Sequence, residues 1–317
     1  MIRALKILIS ATLIGFLIWK ADWASLRADF SSMDTGLLVL SVVLLILQYP
    51  VSAWKWQKCL RMHGIEAPYL ELLRILCIAF FFNNFLPTAI GGDAYRAYRT
   101  MHYANRRAYP ISAVILERLG GIVALLFLGY ICAIILVYRD SLLHNDVVQI
   151  VVIGATAGIV VLVLGIKLQL FDKLLDRLKH IDKFEPIFAS FRVLGRNREH
   201  VAGFVALSLL FQGLAIVTIA FLFAAIGLPG HLLESGFTAA AAGVAGVLPI
   251  SINGIGVVES SFVAAAWESG LPYSEGIVVA LFIRAFMLAS SVAFGILYAL
   301  EPKSRDKDSA TIKQSGL

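Results

Sequence analysis

The sequence predicts an all-α integral membrane protein with about six full transmembrane helices and two re-entrant helical hairpins arranged as an inverted repeat. Three observations predict this fold class. Hydrophobic residues make up 59% of the chain, charged residues only 15%, and mean hydropathy is +0.84, well outside the range of soluble proteins. Two apolar segments, one in each half, are interrupted by similar Pro/Gly turns. Lysine and arginine are also concentrated in alternate loops.

Six apolar stretches supply the full spans, and most are close to the ~20 residues that cross a hydrocarbon core of about 30 Å. They cover 7–19, 37–54, 111–137, 147–166, 201–226 and 276–300. We interpret the short first stretch as a retained anchor, because no small-x-small cleavage site follows it. The cysteines have neither a disulfide nor a metal-ligand spacing.

The distribution of basic residues predicts the orientation. The segments expected on the cytoplasmic side carry 22 of the 27 Lys and Arg residues, and those expected outside carry 3. The inside segments are 1–6, 55–74, 93–110, 167–200 and 301–317, and the outside segments are 20–36, 138–146, 227–235 and 267–275. Both termini are therefore expected in the cytoplasm. The net charge of +6 is an orientation signal, and it does not indicate nucleic-acid binding.

This orientation makes each interrupted segment enter and leave the membrane on one side. We predict a first membrane half over 1–145 with an inner hairpin at 71–109. A second half over 146–300 carries a cytosolic interfacial helix at 167–200 and an outer hairpin at 233–268. Residues 301–317 are expected to be a disordered cytosolic tail. Halves with the same plan and opposite orientation are typical of secondary transporters.

Matching residues support the repeat. Gln48 and Gln212 each lie in the span before a hairpin. In the span after each hairpin an arginine precedes a glycine by eleven residues, as Arg118–Gly129 and Arg284–Gly295.

The hairpin turns predict a central site. Backbone that leaves a helix at membrane depth is tolerated only against protein or a wet cavity. We expect Asp93 to be the N-cap of the first return arm, whose free N–H groups would then suit an anion such as a lipid phosphate. For Arg96 and Arg99, snorkelling to the interface is an equal alternative. The candidate substrate-binding residues are Asn84, Pro87, Gly91, Gly92, Asp93, Arg96, Arg99, Glu117, Arg118, Pro249, Asn253, Gly254, Gly256, Glu259 and Arg284.

Four charges within or beside the spans need polar partners, because each is costly in hydrocarbon. They are Glu117, Arg118, Glu259 and Arg284. One hypothesis makes the arginines ligands of a headgroup phosphate, with the glutamates holding them or accepting a coupled proton. The other makes these charges a buried ion pair between the halves that fixes helix register.

The same motifs resemble a known family. The run from Asn83 through Pro87 to Asp93 and Arg96, then Glu117-Arg118, then Leu248-Pro249 with the following glycines and Glu259, is similar to the flippase-like transmembrane domain of lysylphosphatidylglycerol synthases. The resemblance covers roughly residues 5 to 300 and implies a stand-alone member without the cytosolic synthase domain. Asn253 departs from the pattern, since a second glycine is expected there.

Three classes of function follow. We expect a lipid flippase or lipid transporter of the cytoplasmic membrane that moves an anionic, aminoacylated or polyprenyl-linked lipid. The alternatives are a membrane-embedded lipid-headgroup transferase, with Glu117 or Asp93 as general base, and a non-transporting partner subunit of an envelope biosynthesis enzyme. No catalytic constellation, cofactor or metal site is expected. A membrane lipid, a separate envelope enzyme and a second copy of the chain are the candidate partners.

Overall fold

A computed structural model describes residues 12, 13, 15, 33–85, 91–139, 198–248 and 250–300. The predicted spans 7–19 and 147–166 fall largely or wholly outside these residues, as do most of the interfacial helix and the whole C-terminal tail. Eight α-helices have described bounds, and no β-strand occurs in the described ranges. They are α1 (Thr35–Met62), α2 (Tyr69–Phe85), α3 (Gly91–Thr100), α4 (Ala108–Tyr138), α5 (Arg198–Ala225), α6 (Leu232–Val247), α7 (Val257–Glu268) and α8 (Tyr273–Ala299).

Four of these helices, α1, α4, α5 and α8, are long and apolar enough to cross a membrane. At 1.5 Å per residue each is about 40 Å long, more than the hydrocarbon core requires. They correspond to four of the six predicted spans. The prediction of an all-α membrane protein is therefore confirmed.

Helix α1 is longer than the predicted 37–54. Its start is capped by Asp34, whose side chain accepts hydrogen bonds from the N–H groups of Gly36 and Leu37 at 2.8 and 3.1 Å. The helix continues past Lys55 to Met62 because its last turns are packed, with Trp56, Cys59 and Leu60 fully buried. The predicted span 37–54 thus lies within a helix that continues eight residues further.

The first interrupted segment is a helical hairpin of α2 and α3. The Gly92 N–H donates to Asn83, the ring of Tyr95 packs on Phe82 at 5.0 Å, and the Tyr103 hydroxyl hydrogen-bonds Glu71. Residue numbers rise along one arm as they fall along the other, so the arms are antiparallel. A 3₁₀ turn at Met101–Tyr103 ends the hairpin, six residues before the predicted limit of 109.

The second interrupted segment, α6 and α7, has the same form. Gly246 lies close to Val258, and Phe237 packs in one cluster with Ala265, so the arms are again antiparallel. A 3₁₀ turn at Ile252–Gly254 lies between them. The helix order long, short, short, long thus occurs twice, with lengths of 28, 17, 10 and 31 residues and then 28, 16, 12 and 27.

Helices of the two halves pack against each other. Helix α1 packs along α5, α4 packs on α6, and α8 packs on α2. A methyl group added at Gly129 of α4 would lie 2.2 Å from the Cβ of Ala240, and one at Gly295 of α8 would lie 2.7 Å from the ring of Phe81. The two glycines matched in the sequence therefore have the same role. Each lets the last helix of one half approach the first hairpin arm of the other half closely.

Candidate functional site

Each half contains an ion pair between the return arm of its hairpin and the long helix that follows. Arg118 Nε lies 2.7 Å from Asp93 Oδ2, and Arg284 Nε contacts Glu259 Oε1. Both pairs span 25 residues. In each the carboxylate is the third residue of a short helix, α3 or α7. The equal interval was present in the sequence, and it is the signal by which both pairs could have been predicted.

Asp93 is not the N-cap of the return arm. Helix α3 begins two residues earlier, at Gly91, because the Gly92 N–H donates to Asn83 Oδ1 at 2.9 Å and so receives its cap from α2. The Asp93 carboxylate is then available to hold Arg118 and also Arg96, whose Nη2 lies 2.7 Å from Asp93 Oδ1. The first turn of α3 is thus held by Asn83 of α2, and its Asp93 positions Arg118.

Glu259 holds both its own helix and an arginine. Its Oε2 accepts the Gly256 N–H at 2.6 Å, which satisfies a free backbone donor at the start of α7. Its Oε1 bonds Arg284. Gly256 has φ 84° and Gly254 has φ 73°, so both need the left-handed conformation that glycine adopts without strain.

The first half carries additional buried charges. Glu117 Oε1 lies 2.6 Å from Lys55 Nζ, and Glu117 Oε2 lies 3.3 Å from Arg96 Nη1 and Nη2. The Arg96 guanidinium also lies over the ring of Trp56, 5.2 Å from its centroid. Lys55 is only 3% exposed. Together Lys55, Asp93, Arg96, Glu117 and Arg118 form one set of linked ion pairs, which we call the five-charge cluster.

Lys55 is the site residue that sequence reasoning missed. Because it follows the apolar run 37–54, the sequence pattern predicts that it lies in the cytoplasmic segment 55–74. The available signal was its position seven residues, or two helical turns, after Gln48, which puts both on one face if the helix continues.

Glu117 and Arg118 do not pair with each other, as their adjacent positions predict. The hypothesis of an ion pair between the halves is wrong for these charges. Asp93–Arg118 and Glu259–Arg284 each lie within one half. Arg96 is buried and pairs with both Asp93 and Glu117, so its guanidinium does not reach solvent as snorkelling requires. Arg99 lies over the Tyr95 ring at 5.8 Å, outside the five-charge cluster.

The tips of the two hairpins meet. Asn253 Nδ2 donates to Asn84 Oδ1 at 2.7 Å, and Asn84 Nδ2 donates to Ser291 of α8. Asn253 has φ 51° and ψ 32°, a left-handed conformation that asparagine tolerates better than most residues. The residue that departs from the expected glycine therefore keeps the turn and adds a link between halves. Pro87 and Pro249 lie outside the described residues.

The side chains beside the two ion pairs differ. A cavity of about 40 Å³ adjoins the second pair and is lined by Glu259 and Arg284 together with apolar side chains that include Phe262 and Ile283. Phe262 follows Glu259 by three residues, as Arg96 follows Asp93, and Ile283 precedes Arg284 as Glu117 precedes Arg118. The positions that are charged in the first half are therefore apolar in the second.

The exposure of the two arginines differs as well. The Arg118 side chain is 48% exposed and that of Arg284 is 11% exposed. Each uses its Nε for the carboxylate, and within the described part of the chain neither Nη group makes a hydrogen bond. A guanidinium held in this way can present two N–H donors to an oxyanion.

The fold and site define a multi-pass helical membrane protein with two hairpins whose tips meet beside matching carboxylate–arginine pairs. The chain belongs to the lysylphosphatidylglycerol synthase transmembrane region family, whose model matches residues 3–295. It is also similar to UPF0104 membrane protein PH1989 of Pyrococcus horikoshii, with 20% identity over 93% of this chain and 93% of the relative.

Proposed function

We propose that the protein moves a phosphate-containing lipid between the leaflets of the cytoplasmic membrane, with Arg118 and Arg284 binding the headgroup in turn. The observation that carries this proposal is the repeated pair, Asp93–Arg118 and Glu259–Arg284. Each carboxylate pairs with the Nε of its arginine, so that the two Nη groups can donate hydrogen bonds to a ligand. Arg is well suited to this role because its planar fork matches phosphate oxygens.

The position of the pairs supports movement across the membrane. They lie on hairpins of opposite halves, and the hairpin tips are joined through Asn84 and Asn253. Broken helices at a repeat interface are where transporters of this construction bind substrate. Membership in a family named for lysylphosphatidylglycerol synthase supports a lipid as the substrate.

The proposal includes an inner-membrane location with both termini in the cytoplasm, and a transport function without chemistry on the lipid. A separate enzyme of envelope lipid synthesis and a second copy of the chain are the partners that we propose. Analysis of vesicle lipids before and after incubation tests the absence of chemistry, since a new lipid species would identify a transferase.

Leaflet exchange in reconstituted vesicles tests the proposed function. Arg118→Ala and Arg284→Ala should each slow exchange of a fluorescent phosphatidylglycerol by about 10- to 100-fold, the effect of losing charge-assisted hydrogen bonds worth about 1.5–3 kcal/mol. Lysine at either position should restore only part of the rate, because it offers a point charge in place of a fork. Arg61→Ala removes an exposed arginine from α1 and serves as the control.

Rates are normalised to the amount of inserted protein, and the fold of each variant is checked by circular dichroism. Wild-type exchange in the Arg118→Ala/Arg284→Ala double variant would contradict the proposal. It would leave the two ion pairs with a structural role alone.

A further inference from the structure

The five-charge cluster of the first half contains three cations and two carboxylates, so it has one excess positive charge. Lys55, Arg96 and Arg118 are the cations, and Asp93 and Glu117 are the carboxylates. Lys55 and Arg96 are buried, with 3% and 5% exposure. Solvent and salt therefore screen this excess charge only weakly.

No described neighbour of the cluster supplies a further carboxylate to balance the excess. From α5 the groups facing Lys55 are the ring of Phe211, 4.9 Å away, and Gln212, whose amide donates to the Gly121 carbonyl. Residues 86–90, which connect α2 and α3, include no ionisable side chain.

Among the described residues, the excess belongs to the first half. In the second half, Glu259 and Arg284 balance each other, and the positions equivalent to Arg96 and Glu117 are Phe262 and Ile283. The repeat therefore has one positive and one neutral binding position.

Lys55 determines which residue of the cluster carries the excess positive charge. Lys55 pairs with one oxygen of Glu117, and Arg96 pairs with the other oxygen and with Asp93. Arg118 therefore has only a share of the Asp93 carboxylate. Arg118 is also the half-exposed member of the cluster. The uncompensated charge is thus directed to the arginine that can reach a ligand.

We propose that the five-charge cluster makes the site selective for lipids whose headgroup has a net negative charge, and that Lys55 is the residue that sets this selectivity. This inference rests on the proposed function in one respect, the binding of a lipid headgroup at Arg118. A headgroup with a net positive charge, such as a lysylated one, is disfavoured at the same position.

Equilibrium binding in nanodiscs tests the proposal with two fluorescent probes, phosphatidylglycerol and lysylphosphatidylglycerol. The wild-type protein should bind phosphatidylglycerol more than tenfold more tightly, because the two headgroups differ by two charges and one charge roughly 10 Å away is worth about tenfold at an effective dielectric constant of about 20. Equal binding of the two probes, or tighter binding of the lysylated one, would overturn the proposal without need of any variant.

A pair of variants separates charge from structure. Lys55→Gln removes the excess charge and should weaken phosphatidylglycerol binding by about tenfold. The Lys55→Gln/Glu117→Gln double variant removes one charge of each sign, restores the excess and should recover most of the affinity. Lys58→Gln, which makes the same charge change outside the cluster on α1, should bind as the wild type does. If the double variant binds as weakly as Lys55→Gln alone, the excess charge does not set selectivity.

Leaflet exchange on the same proteins distinguishes the two proposals. Selective binding with no exchange of either lipid would contradict the proposed transport function and support the charge selectivity. Exchange of both lipids at equal rates, with equal binding, would contradict the selectivity and support transport.

Discussion

Asn253 occupies a backbone conformation that glycine would adopt without strain, with φ 51° and ψ 32°. Its side chain bonds Asn84 in the opposite hairpin. A glycine could form the same turn but could not make this bond. At the residue scale, the sequence therefore indicated the turn from Leu248-Pro249 and Gly254, whereas the contact of Asn253 depends on packing between halves and could not be predicted.

Gly92 is a residue at which the two arms of the first hairpin approach closely. A Cβ there would lie 2.1 Å from the Ala79 carbonyl oxygen and 2.7 Å from Asn83. Backbone cannot move aside as a flexible side chain can, so Gly92→Ala should destabilise the protein by about 1–3 kcal/mol. The measurement is the free energy of unfolding in mixed detergent micelles.

Gly213→Ala is the matched control, because Gly213 is also helical and nothing lies within 4 Å of a Cβ added there. This change should be neutral or stabilise α5 by up to about 1 kcal/mol, since alanine has the higher helix propensity. Equal stabilities of the two variants would show that α2 and α3 are not packed as described.

At the element scale, the long apolar helices were predictable and their ends were not. Hydropathy alone indicated α4, α5 and α8 to within three residues, because each apolar run covers nearly the whole helix. Helix α1 extends eight residues beyond its predicted end at 54 because tertiary packing buries Trp56, Cys59 and Leu60, and the ion pair with Glu117 accommodates Lys55. Such long-range partners are not visible in a local pattern.

His63 joins the end of α1 to α4. Its Nδ1 hydrogen-bonds the Cys59 carbonyl at 2.8 Å, and its Nε2 hydrogen-bonds Ser112 Oγ at 2.6 Å. Burial lowers the pKa of His63 below its ordinary value, and the hydrogen bond to Cys59 opposes this shift only in part. The folded protein therefore holds this histidine in its neutral form.

The sign of the pH dependence follows from proton binding. In the unfolded chain His63 takes up a proton below about pH 6.5, whereas in the folded protein it does so only at lower pH. Stability is thus fully present above about pH 6.5 and falls as pH drops toward the lowered pKa of His63. Denaturant unfolding at several pH values should show this fall in the wild type, and a smaller fall in His63→Gln. The same slope in both proteins would assign it to other groups.

At the scale of the whole molecule, the exchange of contacts between halves is the main organising feature. Helix α4 packs antiparallel on α6 through Gly129 and Ala240, and α8 packs antiparallel on α2 through Gly295 and Phe81. The equal spacing of Arg118–Gly129 and Arg284–Gly295 predicted equivalent roles for these glycines. It could not identify their partners, because the partner of each lies in the other half. The opposite orientation of the halves stays a prediction from the basic residues.

Cysteine labelling in intact and permeabilised cells tests that orientation. The native cysteines are replaced by alanine, and single cysteines are placed at exposed ends of the hairpins: Glu66 and Arg106 for the first, Leu232 and Trp267 for the second. Ser235, although in the predicted outside segment 227–235, is fully buried and is unsuitable.

The cysteines at 232 and 267 should react with an impermeant maleimide in intact cells, and those at 66 and 106 only after permeabilisation. This result is expected because the basic residues flank the first hairpin and are absent from both ends of the second. Reaction of 66 and 106 from opposite sides would show that the first hairpin crosses the membrane. Reaction of all four from one side would make the two halves parallel, and the arginine pairs would then not form an inverted path.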